Sequence, residues 1–209
     1  MTYTILHVDS SPLADNSVSR KLTAKVVKEL RAKHPDSKVI YHDLAQAPFP
    51  HLSGLTIGAF YTPPEQRNSH LAEAIKLSDQ AVDELLAADA IVIGAPMHNF
   101  SIPSVLKAWI DHISRAGRTF SYGGSNGPAG LVPADKNVII VSSRGGIYSS
   151  GPMQAMDYQE TYLKTVFGFL GLKHIAFVRA EGVAMGPDMV NAAQETAGQQ
   201  MLAAVENAA

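Results

Sequence analysis

Five short apolar runs recur along the chain: Thr4-Ile5-Leu6-His7-Val8, Lys38-Val39-Ile40-Tyr41, Ala90-Ile91-Val92-Ile93, Asn137-Val138-Ile139-Ile140-Val141 and Ile175-Ala176-Phe177-Val178. Each is about strand length. Several are apolar at successive positions rather than alternating, the pattern of strands covered on both faces. Between them the apolar positions take a helical period. Over residues 17–33, Val18, Leu22, Val26 and Leu30 recur every fourth residue and form one stripe. Residues 68–86 repeat the pattern through Leu71, Ile75, Val82, Leu85 and Leu86. Pro103 suits the first turn of a helix running through Leu106, Trp109 and Ile113. Further helices are predicted over 154–170 and 187–205, so strand and helix alternate five times.

That alternation predicts an α/β fold, an open parallel sheet with helices on both faces, because parallel strands need crossover connections and these are right-handed. Two five-strand orders compete. No internal repeat or shift of composition divides the chain, so residues 1–209 are read as one domain. Two stretches exceed a minimal fold. Residues 45–67 carry four prolines, and residues 117–135 run through Thr119-Phe120-Ser121-Tyr122 and Gly123-Gly124 as a short hairpin or lid. Long loops in a compact domain are usually functional or disordered, and the aromatic second stretch is the better functional candidate.

Composition narrows the class. At 209 residues and 46% hydrophobic, the chain can bury a substantial core. A net charge of −2 gives no electrostatic footprint for nucleic acid, and the apolar runs are too short to cross a bilayer. Met1-Thr2-Tyr3 leads into a strand without a basic segment, so no signal peptide is expected and a cytoplasmic location is. The absence of cysteine excludes disulfides, thiol catalysis and cysteine-ligated metal; no metal site is expected.

In an open α/β sheet, ligands sit beyond the carboxyl ends of the strands where the order reverses. In the order 2-1-3-4-5 those ends carry Asp9-Ser10-Ser11, Ala95-Pro96-Met97-His98-Asn99-Phe100 and Ser142-Ser143-Arg144-Gly145-Gly146. The first loop continues through Ser17-Val18-Ser19 and opens a helix. Unpaired helix amides and several hydroxyls there make an anion site suited to a phosphate monoester. No Walker lysine pattern and no G-x-G-x-x-G occurs, which argues against a nucleoside triphosphate and the usual dinucleotide. The second loop offers an amide and flat or polarisable side chains. The third offers Gly145-Gly146, whose bare backbone can approach a ring closely. Together the three describe a pocket for flavin mononucleotide (FMN).

The segments SSPLADNSVS, APMHNFSIPSVLKAWID, AGRTF and SRGG, followed by AEG at residues 180–182, resemble the FMN-dependent NADH azoreductases, flavodoxin-like quinone and azo-dye reductases of bacteria. The resemblance covers essentially the whole chain. It implies a flavodoxin-like three-layer sandwich whose five-stranded parallel sheet has the order 2-1-3-4-5. It implies that Ser10, Ser17, Val18 and Ser19 hold the phosphate and ribityl region. Pro96, Met97, His98, Asn99 and Phe100 would border the isoalloxazine on one side, and Ser143, Arg144, Gly145 and Gly146 on the other. It further implies a homodimer with FMN near the interface, where Phe120 covers the open ring face and gates substrate. The reaction implied is ping-pong: NADH or NADPH reduces the flavin, which then passes two electrons to a quinone or azo compound, with no protein nucleophile.

One position departs from the family. His98 stands where members often carry tyrosine; an imidazole is smaller and changes charge near neutral pH, so His98 is a candidate proton donor to the reduced product. Other classes fit less well. A flavodoxin-type electron carrier usually presents a strongly acidic docking face, which a charge of −2 does not supply. A phospho-receiver needs an acidic acceptor where this chain has Gly94-Ala95-Pro96. A hydrolase using Ser10 lacks a G-x-S-x-G elbow.

Overall fold

A computed structural model describes residues 2–123 and 127–208. Its strands are β1 (Thr4–Asp9), β2 (Lys38–Asp43), β3 (Ala90–Pro96), β4 (Phe120–Ser121), β5 (Ala129–Gly130), β6 (Asn137–Ser143) and β7 (His174–Ala180). Its α-helices are α1 (Val18–Lys33), α2 (Gly54–Tyr61), α3 (Ser69–Ala87), α4 (Ser104–Ile113), α5 (Tyr158–Leu170) and α6 (Pro187–Asn207). Five strands form one parallel sheet in the order β2-β1-β3-β6-β7, which is the expected 2-1-3-4-5 order with the hairpin strands set aside.

The sheet separates two cores. On one face Leu22, Val26 and Leu30 of α1 and Ala197, Met201 and Val205 of α6 pack on Ile5, Val92, Ile139 and Val178. On the other face α3, α4 and α5 contribute Val82, Leu85, Leu106, Trp109, Leu163 and Phe167 against Leu6, Val8, Ile91, Ile93 and Ile140. β3 and β6 are central and buried along almost their whole length, which is why their sequences run apolar without alternation. The chain therefore forms a three-layer α/β sandwich.

Three local features differ from the sequence reading. Residues 45–67 are not an irregular excursion: they contain α2, whose cap Ser53 accepts a hydrogen bond from Thr56 N–H at 3.1 Å. With Gly54, Gly58, Thr56 and Ile57 in eight residues, α2 has low intrinsic propensity and no stripe, so periodicity does not reveal it. The helix expected from residue 154 starts at Tyr158, because the Asp157 carboxylate caps it by accepting from the amides of Gln159 (3.1 Å) and Glu160 (2.9 Å). Pro103 sits one residue ahead of α4, at its cap. β4 and β5 pair antiparallel as the expected hairpin, while Gly124 lies outside the described residues, as does Met1. Among the described residues no helix is long and apolar enough to cross a membrane.

Candidate active site at the strand ends

β1, β3 and β6 are neighbours, so the loops that follow them rise side by side. Pro96 lies opposite Ser143, and Met97 N–H donates to the Ser143 carbonyl at 2.8 Å. Ser10 Oγ donates to the Gly94 carbonyl at 2.6 Å. The three predicted loops therefore stand side by side at the carboxyl ends of the strands, where the strand order reverses and a crevice is expected.

The first loop turns through a short 3₁₀ segment, Ala14–Asn16, and delivers Ser17 as the cap of α1. Ser17 Oγ accepts from Arg20 N–H at 3.3 Å and lies 3.1 Å from Ser19 Oγ. Only one hydroxyl hydrogen of that buried pair is used between the two, so the other is left over for a ligand. Among the described residues, no acceptor meets the amides of Val18 and Ser19, the first two of α1. Two free N–H groups and a spare hydroxyl at a helix start fit a phosphate dianion. Ser10 contributes differently: its hydroxyl hydrogen is engaged by Gly94, which leaves it an acceptor.

In the second loop, His98 and Ser101 exchange backbone hydrogen bonds at 2.8 and 3.0 Å, closing a tight turn. Its two central residues, Asn99 (φ +49°) and Phe100 (φ +70°), are both left-handed. Asn tolerates that region, whereas a phenylalanine there is strained by about 1–2 kcal/mol. Surrounding contacts hold it: Tyr158 N–H donates to the Phe100 carbonyl at 3.2 Å, and the Phe100 ring meets the Tyr148 ring edge-on at 6.3 Å. Strain of this kind gathers at functional sites. Behind the turn, His98, Ser101, Ile102, Lys107 and Tyr162 line a cavity of about 450 Å³.

The third loop is fastened through its carbonyls. Arg144, Gly145 and Gly146 accept from the amides of Val183 (3.1 Å), Ala184 (3.1 Å) and Gly182 (3.0 Å). The amides of Gly145 and Gly146 have no acceptor among the described residues, so this loop too leaves donors free at the crevice. Neither glycine has a left-handed φ; what the pair supplies is bare backbone.

Arg144 departs from the sequence reading. Its side chain is fully buried and turned into the protein: Nε donates to Gln159 Oε1 at 2.9 Å, and its Nη atoms meet Asp157 (3.0 Å), Glu160 (2.6 Å) and Glu181 (3.1 Å). Only its backbone remains for a ring. Burial pushes the Glu181 carboxyl up, but the Ser149 hydroxyl, the Tyr148 and Ser149 amides and Arg144 outweigh that and hold it below its ordinary value. Phe120 is also buried, 8% exposed against Phe169 at 4.7 Å; the exposed ring of the hairpin is Tyr122, 61% exposed. Of the two rings, the one open to contact with another molecule is therefore Tyr122 rather than the expected Phe120. Periodicity does not reveal the groups that hold these loops: Asp157 at the cap of α5, Gln159 and Glu160 in its first turn, and Arg20 with Asp43. The only available signal was a charged or amide residue in the first turn of a helix, which is also what any surface helix shows.

The fold and sequence are similar to those of known proteins. The family model described as flavodoxin-like fold matches residues 3–205. The chain is 51% identical over 189 residues to the FMN-dependent NADH:quinone oxidoreductase of Herminiimonas arsenicoxydans, covering 90% of this chain and 92% of that one. It is 53% identical over 191 residues to FMN-dependent NADH:quinone oxidoreductase 2 of Xanthomonas axonopodis pv. citri, covering 90% and 87%. Among solved structures it resembles a Bacillus anthracis azoreductase with a TM-score of 0.86 at 30% identity, covering 100% and 99%. An FMN-dependent NADH-azoreductase of Bacillus anthracis in complex with FMN also gives 0.86, at 25% identity, covering 99% and 100%.

Proposed function

The chain belongs to the flavodoxin-like fold family, and from that premise we propose that it is an FMN-dependent NADH:quinone oxidoreductase that also reduces azo compounds. The observation that carries this reading is the meeting of three loops at the carboxyl ends of neighbouring strands, the first and third of them leaving backbone amides without acceptors among the described residues. Bound FMN would supply two-electron chemistry between NADH or NADPH and a quinone or azo acceptor, in two separate half-reactions.

The residues bind and orient. Val18 and Ser19 hold the phosphate through their amides, with the Ser17–Ser19 hydroxyl pair beside them. Pro96, Met97, Asn99 and Phe100 border one side of the ring. The amides of Gly145 and Gly146 stabilise negative charge at the other edge, as oriented dipoles do where water is excluded. His98 donates a proton to the reduced product; a pH profile unchanged in His98→Phe would remove that role. No side chain of the crevice has to act as a nucleophile. Relatives named as NADH:quinone oxidoreductases do not favour the alternative of a non-enzymatic electron carrier.

A homodimer with FMN near its interface and a cytoplasmic location are part of the same reading. Exposed Ile57, Tyr61, Tyr122 and Phe169, which share one groove, are the apolar surface a second copy would cover. Sedimentation equilibrium tests the dimer. Initial-velocity kinetics test the reaction: parallel double-reciprocal lines for NADH against a quinone are expected, whereas intersecting lines would remove the ping-pong scheme.

A further inference from the structure

Arg20 in α1 and Tyr41 and Asp43 at the end of β2 take no part in the function just described, yet they are densely hydrogen-bonded to one another. Arg20, in the first turn of α1, has five N–H donors. All five are engaged. Nε and Nη2 donate to the Ser11 carbonyl at 2.9 and 2.7 Å, Nη1 and Nη2 to the two oxygens of Asp43 at 2.7 and 2.5 Å, and Nη1 also to Tyr41 Oη at 3.2 Å.

Each acceptor is itself fixed. The Asp43 carboxylate also takes the amides of Ala45 (3.1 Å) and Gln46 (3.3 Å). Tyr41 Oη donates to Asp9 Oδ2 at 3.2 Å, and Thr23 Oγ1 donates to Asp9 Oδ1 at 2.9 Å. The guanidinium thus ties both ends of one loop together, Ser11 to its own helix turn, and anchors the tie to the sheet edge. Between the tied ends lie Ser17, Val18 and Ser19; the free amides of the last two and the spare hydroxyl of the serine pair face the phosphate in the reading above. Left-handed Ala14 (φ +45°) lies inside the same loop, so the loop needs restraint to keep its shape.

We infer that Arg20 is a positioning residue for the FMN phosphate: its fork, anchored on Asp43, holds residues 11–19 in the binding shape before FMN arrives. This rests on the proposed FMN function. The role is geometric rather than coulombic, because the Asp43 carboxylate, 2.7 and 2.5 Å from the guanidinium nitrogens, neutralises that charge. A loop that is in the binding shape only part of the time weakens the apparent affinity by that fraction. Lysine keeps the charge and cannot reproduce the fork, so it separates the two explanations.

The test uses the holoenzyme. FMN release is read as flavin fluorescence appearing on serial dilution, and hydrogen exchange is read peptide by peptide in the same samples. Arg20→Lys and Asp43→Asn are each expected to weaken FMN retention by roughly ten-fold, the change for a loop competent about one-tenth of the time. Both are expected to speed exchange at residues 12–19 while residues 69–87 of α3, which make no contact with FMN in this reading, exchange as in the wild type. Retention of FMN by Arg20→Lys at the wild-type level overturns the inference, as does faster exchange over the whole chain. If the wild-type protein carries no FMN and takes up none, the proposed function itself fails, an outcome distinct from a wild type that holds FMN and variants that hold it equally well.

Discussion

Gln159 joins the two loops that flank the crevice: its Oε1 accepts from Arg144 Nε at 2.9 Å while its Nε2 donates to the Ala95 carbonyl at 2.8 Å. One buried amide therefore spans β3 and the loop after β6. Around it Arg144 meets Asp157, Glu160 and Glu181, and Arg179 grips Glu160 through Nε (2.8 Å) and Nη2 (2.7 Å). Removing one partner from such a set leaves buried charge uncompensated. Arg144→Met is expected to lower stability by about 3–5 kcal/mol in urea unfolding. A loss below about 1 kcal/mol, the scale of an exposed ion pair, would show that the cluster is not the anchor described here.

Gly94 is needed for a different reason. A Cβ there would lie 2.5 Å from Asp9 Oδ1 and 3.2 Å from Thr23 Cγ2, in the middle of the sheet. Gly94→Ala should cost about 1–3 kcal/mol, the range for an overpacked core. The midpoint of thermal unfolding measures it, and Gly54→Ala, where a Cβ meets nothing within 4 Å, is the control.

The turn at Asn99-Phe100 makes a prediction of opposite sign. Since Phe100 sits at φ +70° with its ring partly exposed, glycine relieves strain while removing little packing. Phe100→Gly should be neutral or stabilising by up to about 1 kcal/mol, and Phe100→Val destabilising by about 1–2 kcal/mol because a β-branched residue fits that region least. Equal losses for both variants would mean that the ring, rather than the backbone, decides the stability of the turn.

Acid should weaken the fold through three carboxylates. At Asp9, burial raises the carboxyl pKa, but hydrogen bonds and charge from His7, Thr23 and Arg20 outweigh it and leave the value lowered. Asp43 is lowered by its hydrogen bonds to Arg20, against a smaller effect of burial, and Glu181 is lowered as described above. For a lowered acid, the stabilisation is complete above the unfolded value and is lost as pH falls through the folded one. The ordinary values are 3.8 for aspartate and 4.5 for glutamate, so the loss begins near pH 4.5 and continues below 3.8. Thermal midpoints from pH 7 to 3 should fall over that window, less steeply in Glu181→Gln. A midpoint flat to pH 3 would contradict the assigned hydrogen bonds.

Much of the fold was legible because the sheet imposes period and composition on its sequence. β3 and β6 read as buried strands because both faces are covered, and α1 and α3 read as helices because one face is. α2 was not legible, since its burial comes from packing on α3 rather than from a stripe of its own. At the site, the loops could be found because chain order places them at adjacent strand ends. The directions of side chains could not. Arg144 sits in a loop motif that suggests ligand contact, yet partners from α5 and residue 181 draw it inward. Phe120 and Tyr122 are separated by one residue, and only packing against Phe169 decides which is buried.

The central claim, a crevice that holds FMN for two-electron transfer from a nicotinamide to a quinone, is tested most directly by the visible spectrum of the purified protein under anaerobic conditions. A flavin spectrum that bleaches with NADH and returns when a quinone is added is the predicted result. A protein that neither carries nor takes up FMN, or whose bound flavin spectrum NADH leaves unchanged, would contradict it.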